Sequence, residues 1–356
     1  MRTPLSSDIT LNAARFHEAN ITPSTKTAAA LLEKITKHGP KWWAVPGGAA
    51  AYRELRETGQ TPLPKPVYLP EARDEVIPSR EEGRDIPIRV YRPDEGGSRG
   101  VVLHFHGGGF VLGSQRHSDT TLRLYANSLN LTAISVGYRL APEHPYPAAL
   151  HDAIDAAIYI ADNSPTQYGG GLRFITGESA GGCLAVQSAL HLLRLKRGHI
   201  TTTLRGLVLP YGWFDLSLSL PSIVNCQKEG GGLMIDLPTM QRFRDAYVPG
   251  LSSADGNDER RNPAVSPVYE DLQGLGSTEN GEGLLPPALF LVGTADPLLD
   301  DTVLMSTKWA SAGGESIVKI YPGATHGFTV LPGLDVADEA NEVTMEFLRR
   351  RLEDQD

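Results

Sequence analysis

From about residue 67 onward, short apolar runs alternate with longer segments whose apolar residues recur every three or four positions. "IPIRVYRP" (86–93) alternates as a half-buried strand does, and "EEG" before it supplies a turn. Runs of strand length then follow: "VVLHF" (101–105), "TAISVGY" (132–138), "RFITG" (173–177), "LRGLVLP" (204–210), "ALFLVG" (288–293) and "IVKIY" (317–321). Between several of them lie helical patterns, namely "DTTLRLYANSLN", "PAALHDAIDAAIYIAD", "AGGCLAVQSALHLLRL" and "TVLMSTKWASAG", and "DEANEVTMEFLRRRL" ends the series. Strands that are almost continuously apolar, alternating with helices, predict an α/β fold: a mostly parallel twisted sheet covered by helices on both faces.

Three stretches break this rhythm. Residues 1–66 are helix-like and irregular, with an aromatic pair, Trp42 and Trp43, that either lines a cleft or packs the segment onto the body. Residues 212–266 form a long insertion, mostly helical in pattern, after the strand "LRGLVLP". "EDLQGLGSTENGEG" (270–283) is polar, glycine-rich and acidic, as a mobile surface loop is. The chain contains no internal repeat.

Composition narrows the function classes. A chain of 356 residues with 40% hydrophobic content can bury a large core. Its formal charge of −9 is opposite in sign to a nucleic-acid footprint, so no nucleic-acid partner is expected. Two cysteines, Cys183 and Cys226, make no disulfide framework and lack metal-site spacing, and Cys183 reads as a small buried hydrophobe in a helix. The opening "MRTPLSSDITLNAARFHEAN" has no apolar signal-peptide region, and no run reaches about 18 apolar residues. A cytoplasmic protein without a transmembrane segment is the expectation.

The candidate chemistry centres on "FITGESAGG". A strand ends at Gly177 and a helix pattern starts after Ser179, which places the G-x-S-x-G pattern on a strand-to-helix turn. That context suits a serine nucleophile, with the helix N-terminus aimed at the reacting centre. A serine hydroxyl needs a base, and the base an orienting carboxylate. His326 in "YPGATHGF" follows the strand "IVKIY", and Asp296 in "LFLVGTADPLLDD" sits at the tip of another strand. Active sites of open α/β sheets form at such strand ends. Asp296 has an alternative role as a cap for the helix after Pro297. Asp300 and Asp301 read as caps or solvated charges, and His117, His191 and His199 as surface or packing residues. Upstream, Gly107 to Gly109 in "HFHGGGF" match neither a dinucleotide fingerprint nor a phosphate loop, because no G-x-G-x-x-G and no G-K-[ST] is present. Glycine backbone N–H groups do suit an oxyanion, and an HGGG-type loop serves that purpose in lipases and esterases.

Together, "HGGGF" (106–110), "YRLAPEHPYPAAL" (138–150), "GESAGG" (177–182), "NPAVSP" (262–267), "DPLLD" (296–300) and "HGF" (326–328) resemble the hormone-sensitive-lipase family, the family IV carboxylesterases of the α/β-hydrolase superfamily. The resemblance covers roughly 85–350. It implies an α/β-hydrolase core over 67–211 and 267–356, with 1–66 and 212–266 forming a helical cap. It makes Ser179 the nucleophile, His326 the general base and acid, Asp296 the residue holding the imidazolium, and the amides of Gly108, Gly109 and Ala180 the oxyanion hole. Gly107 then shapes the turn, and Arg139, Glu143 and His144 brace the site. "DPLLDD" departs mildly from the "DPLxDE" of many relatives. The implied activity is hydrolysis of a small-molecule carboxylic ester, of short to medium acyl chain, with no metal or organic cofactor. Amidase, deacetylase or lactonase chemistry would use the same triad, and a non-catalytic receptor on this fold would lack the histidine that "HGF" retains. Dimers are frequent among relatives, so a homodimer is compatible with the resemblance.

Overall fold

A computed structural model describes residues 10–61, 63–195, 203–227, 234–252, 258–275, 285–331 and 333–353. Eight strands form one sheet: β1 (Arg73–Pro78), β2 (Asp85–Tyr91), β3 (Val101–Phe105), β4 (Thr132–Val136), β5 (Leu172–Gly177), β6 (Gly206–Pro210), β7 (Ala288–Gly293) and β8 (Ser316–Tyr321). Their order is β1-β2-β4-β3-β5-β6-β7-β8. Pairs from β4 to β8 are parallel, while β1 with β2 and β2 with β4 are antiparallel. The expected mostly parallel sheet is present.

Strand β1 has no counterpart in the sequence reading. Its residues, "RDEVIP", bury only Ile77, so no apolar run announces it. It forms because Arg73 through Pro78 pair with Val90 through Asp85 at the sheet edge, where charged side chains also discourage further pairing.

Helices cover both faces. α3 (Asp119–Leu129) and α9 (Asp335–Glu353) pack on one, contributing Leu122, Ala126, Ala340 and Phe347 to a core with Val102, Phe174, Val208 and Leu291. α4 (Ala148–Gln167), α5 (Ala180–Arg194) and α8 (Leu299–Ser311) pack on the other, against Leu103, Phe105, Ile175 and Phe290. Side chains alternate along a strand, so His104 on β3 and Thr176 on β5 share the α3/α9 face with Val102 and Phe174.

Segment 10–61 carries α1 (Pro23–His38) and α2 (Gly48–Thr58). Thr22 caps α1 by accepting from Thr25 N–H, with Pro23 at the first turn. The described part of 212–266 contains the single turn α6 (Pro221–Val224) and α7 (Leu237–Tyr247). Of the expected loop 270–283, residues 276–283 lie outside the described residues, as does His199. Among the described residues no helix is long and apolar enough to cross a membrane.

Candidate active site

Strand β5 ends at Gly177 and helix α5 begins at Ala180, so Ser179 occupies the turn between them. Its backbone takes φ 54° and ψ −120°, a conformation costly for any residue with a Cβ. Neighbouring backbone holds it there. Ser179 N–H donates to the Pro210 carbonyl at 3.1 Å, and its own carbonyl accepts from Gly182 and Trp213 N–H at 3.0 Å. The turn lifts Oγ to 2.9 Å from His326 Nε2.

Loops after β7 and β8 supply the two partners. They are tied together by Ala295 N–H donating to the Ala324 carbonyl at 3.1 Å and Thr294 N–H to that of Tyr321 at 3.0 Å. His326 Nδ1 lies 3.0 and 3.2 Å from the Asp296 carboxylate oxygens. Asp296 is 3% exposed and His326 8%, so little water competes for this pair. With Nδ1–H donated to Asp296, Nε2 is free to accept from the Ser179 hydroxyl. Asp296 also accepts from Leu298 N–H at 2.9 Å in the turn before α8, whose N-cap is Leu298 with no side-chain cap, so the imidazole partnership is realised and the helix-cap alternative is not. The Tyr211 ring stands edge-on to the imidazole, with centroids 4.9 Å apart.

The neighbouring carboxylates differ from expectation. Asp301 is fully buried and accepts from Phe214 and Asp215 N–H at 2.8 and 2.7 Å. Burial first, then the Asp215 charge, push its carboxyl well above the usual range. Asp301 is therefore no solvated charge. It anchors the start of 212–266 to α8, and Asp300 does similar work by accepting from Ser222 N–H at 2.8 Å.

The glycine loop lies across from the serine. Gly107 N–H donates to Glu178 Oε1 at 2.7 Å, which removes it as an oxyanion donor and fixes the loop to the elbow. Gly108 and Gly109 have φ of +120° and +62°; a Cβ on the first would meet the Leu112 carbonyl oxygen at 2.1 Å, and on the second the Phe243 ring at 2.5 Å. Neither position admits another residue without rearrangement. Among the described residues the amides of Gly108, Gly109 and Ala180 find no acceptor. His106 stacks on Tyr138 at 4.3 Å, and its Nδ1 lies 2.8 Å from the Gly107 carbonyl. Burial pushes its imidazole down to about 3, so a neutral ring donates that bond.

Sequence reasoning did not single out several supports of this loop. Arg53 of α2 donates to the carbonyls of Val111 and Ala141, both at 2.8 Å, and pairs with Glu143 through two nitrogens at 3.1 and 2.9 Å. This bond, ahead of the others, holds the Glu143 carboxyl below its usual range, with His144 adding a smaller share. Arg139 ties Asp152 to Glu81. Glu143 therefore braces the glycine loop through Arg53, whereas the partners of Arg139 do not line the cavity. Glu178, the variable residue of G-x-S-x-G, was legible only as a spacer.

Serine, histidine and the glycine loop open on a cavity of about 550 Å³. Trp42 and Trp43 line it, and Trp42 is also buried in the core and stacked 5.4 Å from Phe243 of α7, so the pair both lines the cleft and packs its segment onto the body. Met240 and Trp213 extend that apolar side. His117, expected as a surface or packing residue, also lines the cavity and bonds Glu57 of α2 at 2.7 Å. Cys183 is buried, and desolvation raises its thiol out of the reactive range. Among the described residues no three His, Cys, Asp or Glu side chains gather as a metal-ligating set.

Residues 102–330 match a family described as alpha/beta hydrolase fold. Similar proteins include an ethyl acetate hydrolase of Pseudomonas putida, 30% identical over 290 residues, spanning 80% of this chain and 84% of that one. Carboxylesterase NlhH of Mycobacterium tuberculosis is 32% identical over 289 residues, covering 80% and 83% of the two chains. Among solved structures, an esterase of the archaeon Pyrobaculum calidifontis superposes with a TM-score of 0.73 at 28% identity, over 93% of this chain and 98% of its own.

Proposed function

The chain belongs to the α/β-hydrolases of the hormone-sensitive-lipase family, and on that premise we propose that Ser179, His326 and Asp296 are the catalytic triad of this ester hydrolase. One observation carries the reading: a continuous line from Asp296 through both nitrogens of His326 to the Ser179 hydroxyl, at 3.0 and 2.9 Å, ending at the cavity. Ser179 Oγ attacks the ester carbonyl while His326 Nε2 takes its proton. The developing oxyanion receives N–H groups from Gly108, Gly109 and Ala180. The bond to the leaving oxygen then breaks, and His326 returns the proton to it. Water, deprotonated by the same nitrogen, releases the acid and restores the serine. Asp296 stays ionised and stabilises the imidazolium in both steps.

We assign 1–66 and 212–266 to a cap. Support comes from Trp42 and Trp43, between α1 and α2, and from Met240 and Phe243 on α7, which wall the cavity above the serine. Aromatic walls around a space of about 550 Å³ suit a short to medium acyl chain. The purified protein should hydrolyse p-nitrophenyl acetate and butyrate. Ser179→Ala should lower kcat by at least about 10⁴-fold with an unchanged melting temperature. Unaltered turnover in that variant would overturn the assignment.

A further inference from the structure

A polar lobe of the cavity lining comes from β3, β5, α3 and α9, which contribute His104, Thr176, Thr121, Tyr125 and Asn341. This wall is polar, in contrast to the tryptophan and phenylalanine wall on the cap side. Part of it is already organised. His104 Nδ1 lies 3.0 Å from Thr176 Oγ1, and its Nε2 lies 3.1 Å from Ser118 Oγ and 3.4 Å from Glu178 Oε2. A neutral imidazole that donates from Nε2 and accepts the Thr176 hydroxyl at Nδ1 satisfies these contacts.

Tyr125 is the exception. It is 7% exposed and lines the lobe, yet among the described residues its hydroxyl has no hydrogen-bond partner. Thr121, half-buried one helical turn earlier on α3, also leaves its hydroxyl to the lobe. Asn341 of α9 makes only a long 3.5 Å bond to the Thr329 carbonyl. The Tyr125 and Thr121 side chains line the cavity with hydroxyls that no protein group engages among the described residues, so this wall offers hydrogen bonds to an occupant that brings its own polar groups.

Position identifies the occupant. Thr329 and Val330, which closely follow His326, line the cavity too, and Val330 is 56% exposed. The leaving oxygen must lie within reach of His326 Nε2, because that nitrogen gives it the proton taken from Ser179. Asn341 of the polar lining reaches the Thr329 carbonyl on this side, whereas Phe243 lies against Gly109. We propose that the lobe between α3 and α9 is the leaving-group subsite, and that it selects esters whose alcohol carries hydroxyl groups, with Tyr125 and Thr121 as the recognising residues. The proposal rests on the ester-hydrolase reading above. The acyl chain extends over Trp42 and Phe243, and the alcohol departs past Val330 with its proton, leaving the acyl group on Ser179.

Two butyrates of matched shape test it: 2,3-dihydroxypropyl butyrate and 2-methylbutyl butyrate, which replaces both hydroxyls by carbon. The wild-type protein should favour the diol in kcat/KM by at least about tenfold. Tyr125→Phe and Thr121→Val should each reduce that ratio several-fold; the ratio is internal to each variant, so loss of overall activity does not distort it. A wild-type ratio near one, or a ratio untouched by both substitutions, would overturn the subsite, leaving the lobe to solvent. Cleavage of neither ester would instead remove the ester-hydrolase reading, and the subsite with it.

Discussion

Ser179 holds a conformation that an isolated chain would leave, and three backbone hydrogen bonds around it carry that cost. The role proposed for it was nonetheless readable, because acyl transfer demands a serine between glycines, a histidine and an acid, each at a strand end. Roles that depend on which distant segments meet were not readable. Glu178 fixes Gly107, and Tyr211 flanks His326, only because the loops converge. Burial also sets a pH response. Desolvation holds the imidazoles of His104 and His106 below their usual range, the second at about 3. In the unfolded chain both titrate near about 6.5, so below that value the unfolded state binds more protons. Their contribution to stability is full above about pH 6.5 and is lost as pH falls toward the folded values. Melting temperatures recorded from pH 7.5 to 5 should therefore fall less steeply in His104→Gln than in wild type. Equal slopes would contradict the buried neutral imidazole. Buried Asp301, whose raised carboxyl acts in the opposite sense, is common to both proteins and cancels from the comparison.

At the level of elements, alternation of apolar runs and helical patterns was legible because β3 and β4 are buried along their whole length. Strand β1 was not, since an edge strand that buries one residue has no apolar signature. Nor did the sequence disclose what α2 does. Arg53 reaches from α2 to the Val111 carbonyl, two residues past the glycine pair, and to Ala141 and Glu143. Docking of the N-terminal segment is thereby coupled to the position of the loop proposed to offer the oxyanion amides. Arg53→Ala should lower kcat on the order of tenfold with a smaller change in KM, because donors displaced from the oxyanion affect the transition state most. Arg53→Lys should recover little, as an ammonium cannot span three acceptors in one plane. Free guanidinium should restore part of the alanine variant's rate. A kcat unchanged in Arg53→Ala would show that α2 covers the site without positioning it.

For the whole molecule, the proposed triad joins residues 147 and 30 positions apart, drawn from the ends of β5, β7 and β8. It exists only when the sheet is complete, at the edge where open α/β sheets place their sites. Motif order made this convergence legible; the division of the cavity into aromatic and polar lobes was not, because its walls come from α1–α2, α7, α3 and α9 together. The central claim is that folding converts one serine hydroxyl into a nucleophile. A fluorophosphonate probe followed by peptide mass spectrometry tests it most directly. Native protein should take up one equivalent, located on Ser179, with loss of ester hydrolysis in proportion, and urea-unfolded protein should take up none. Labelling at another residue, equal labelling of the unfolded chain, or full hydrolysis after Ser179 is modified would contradict the account.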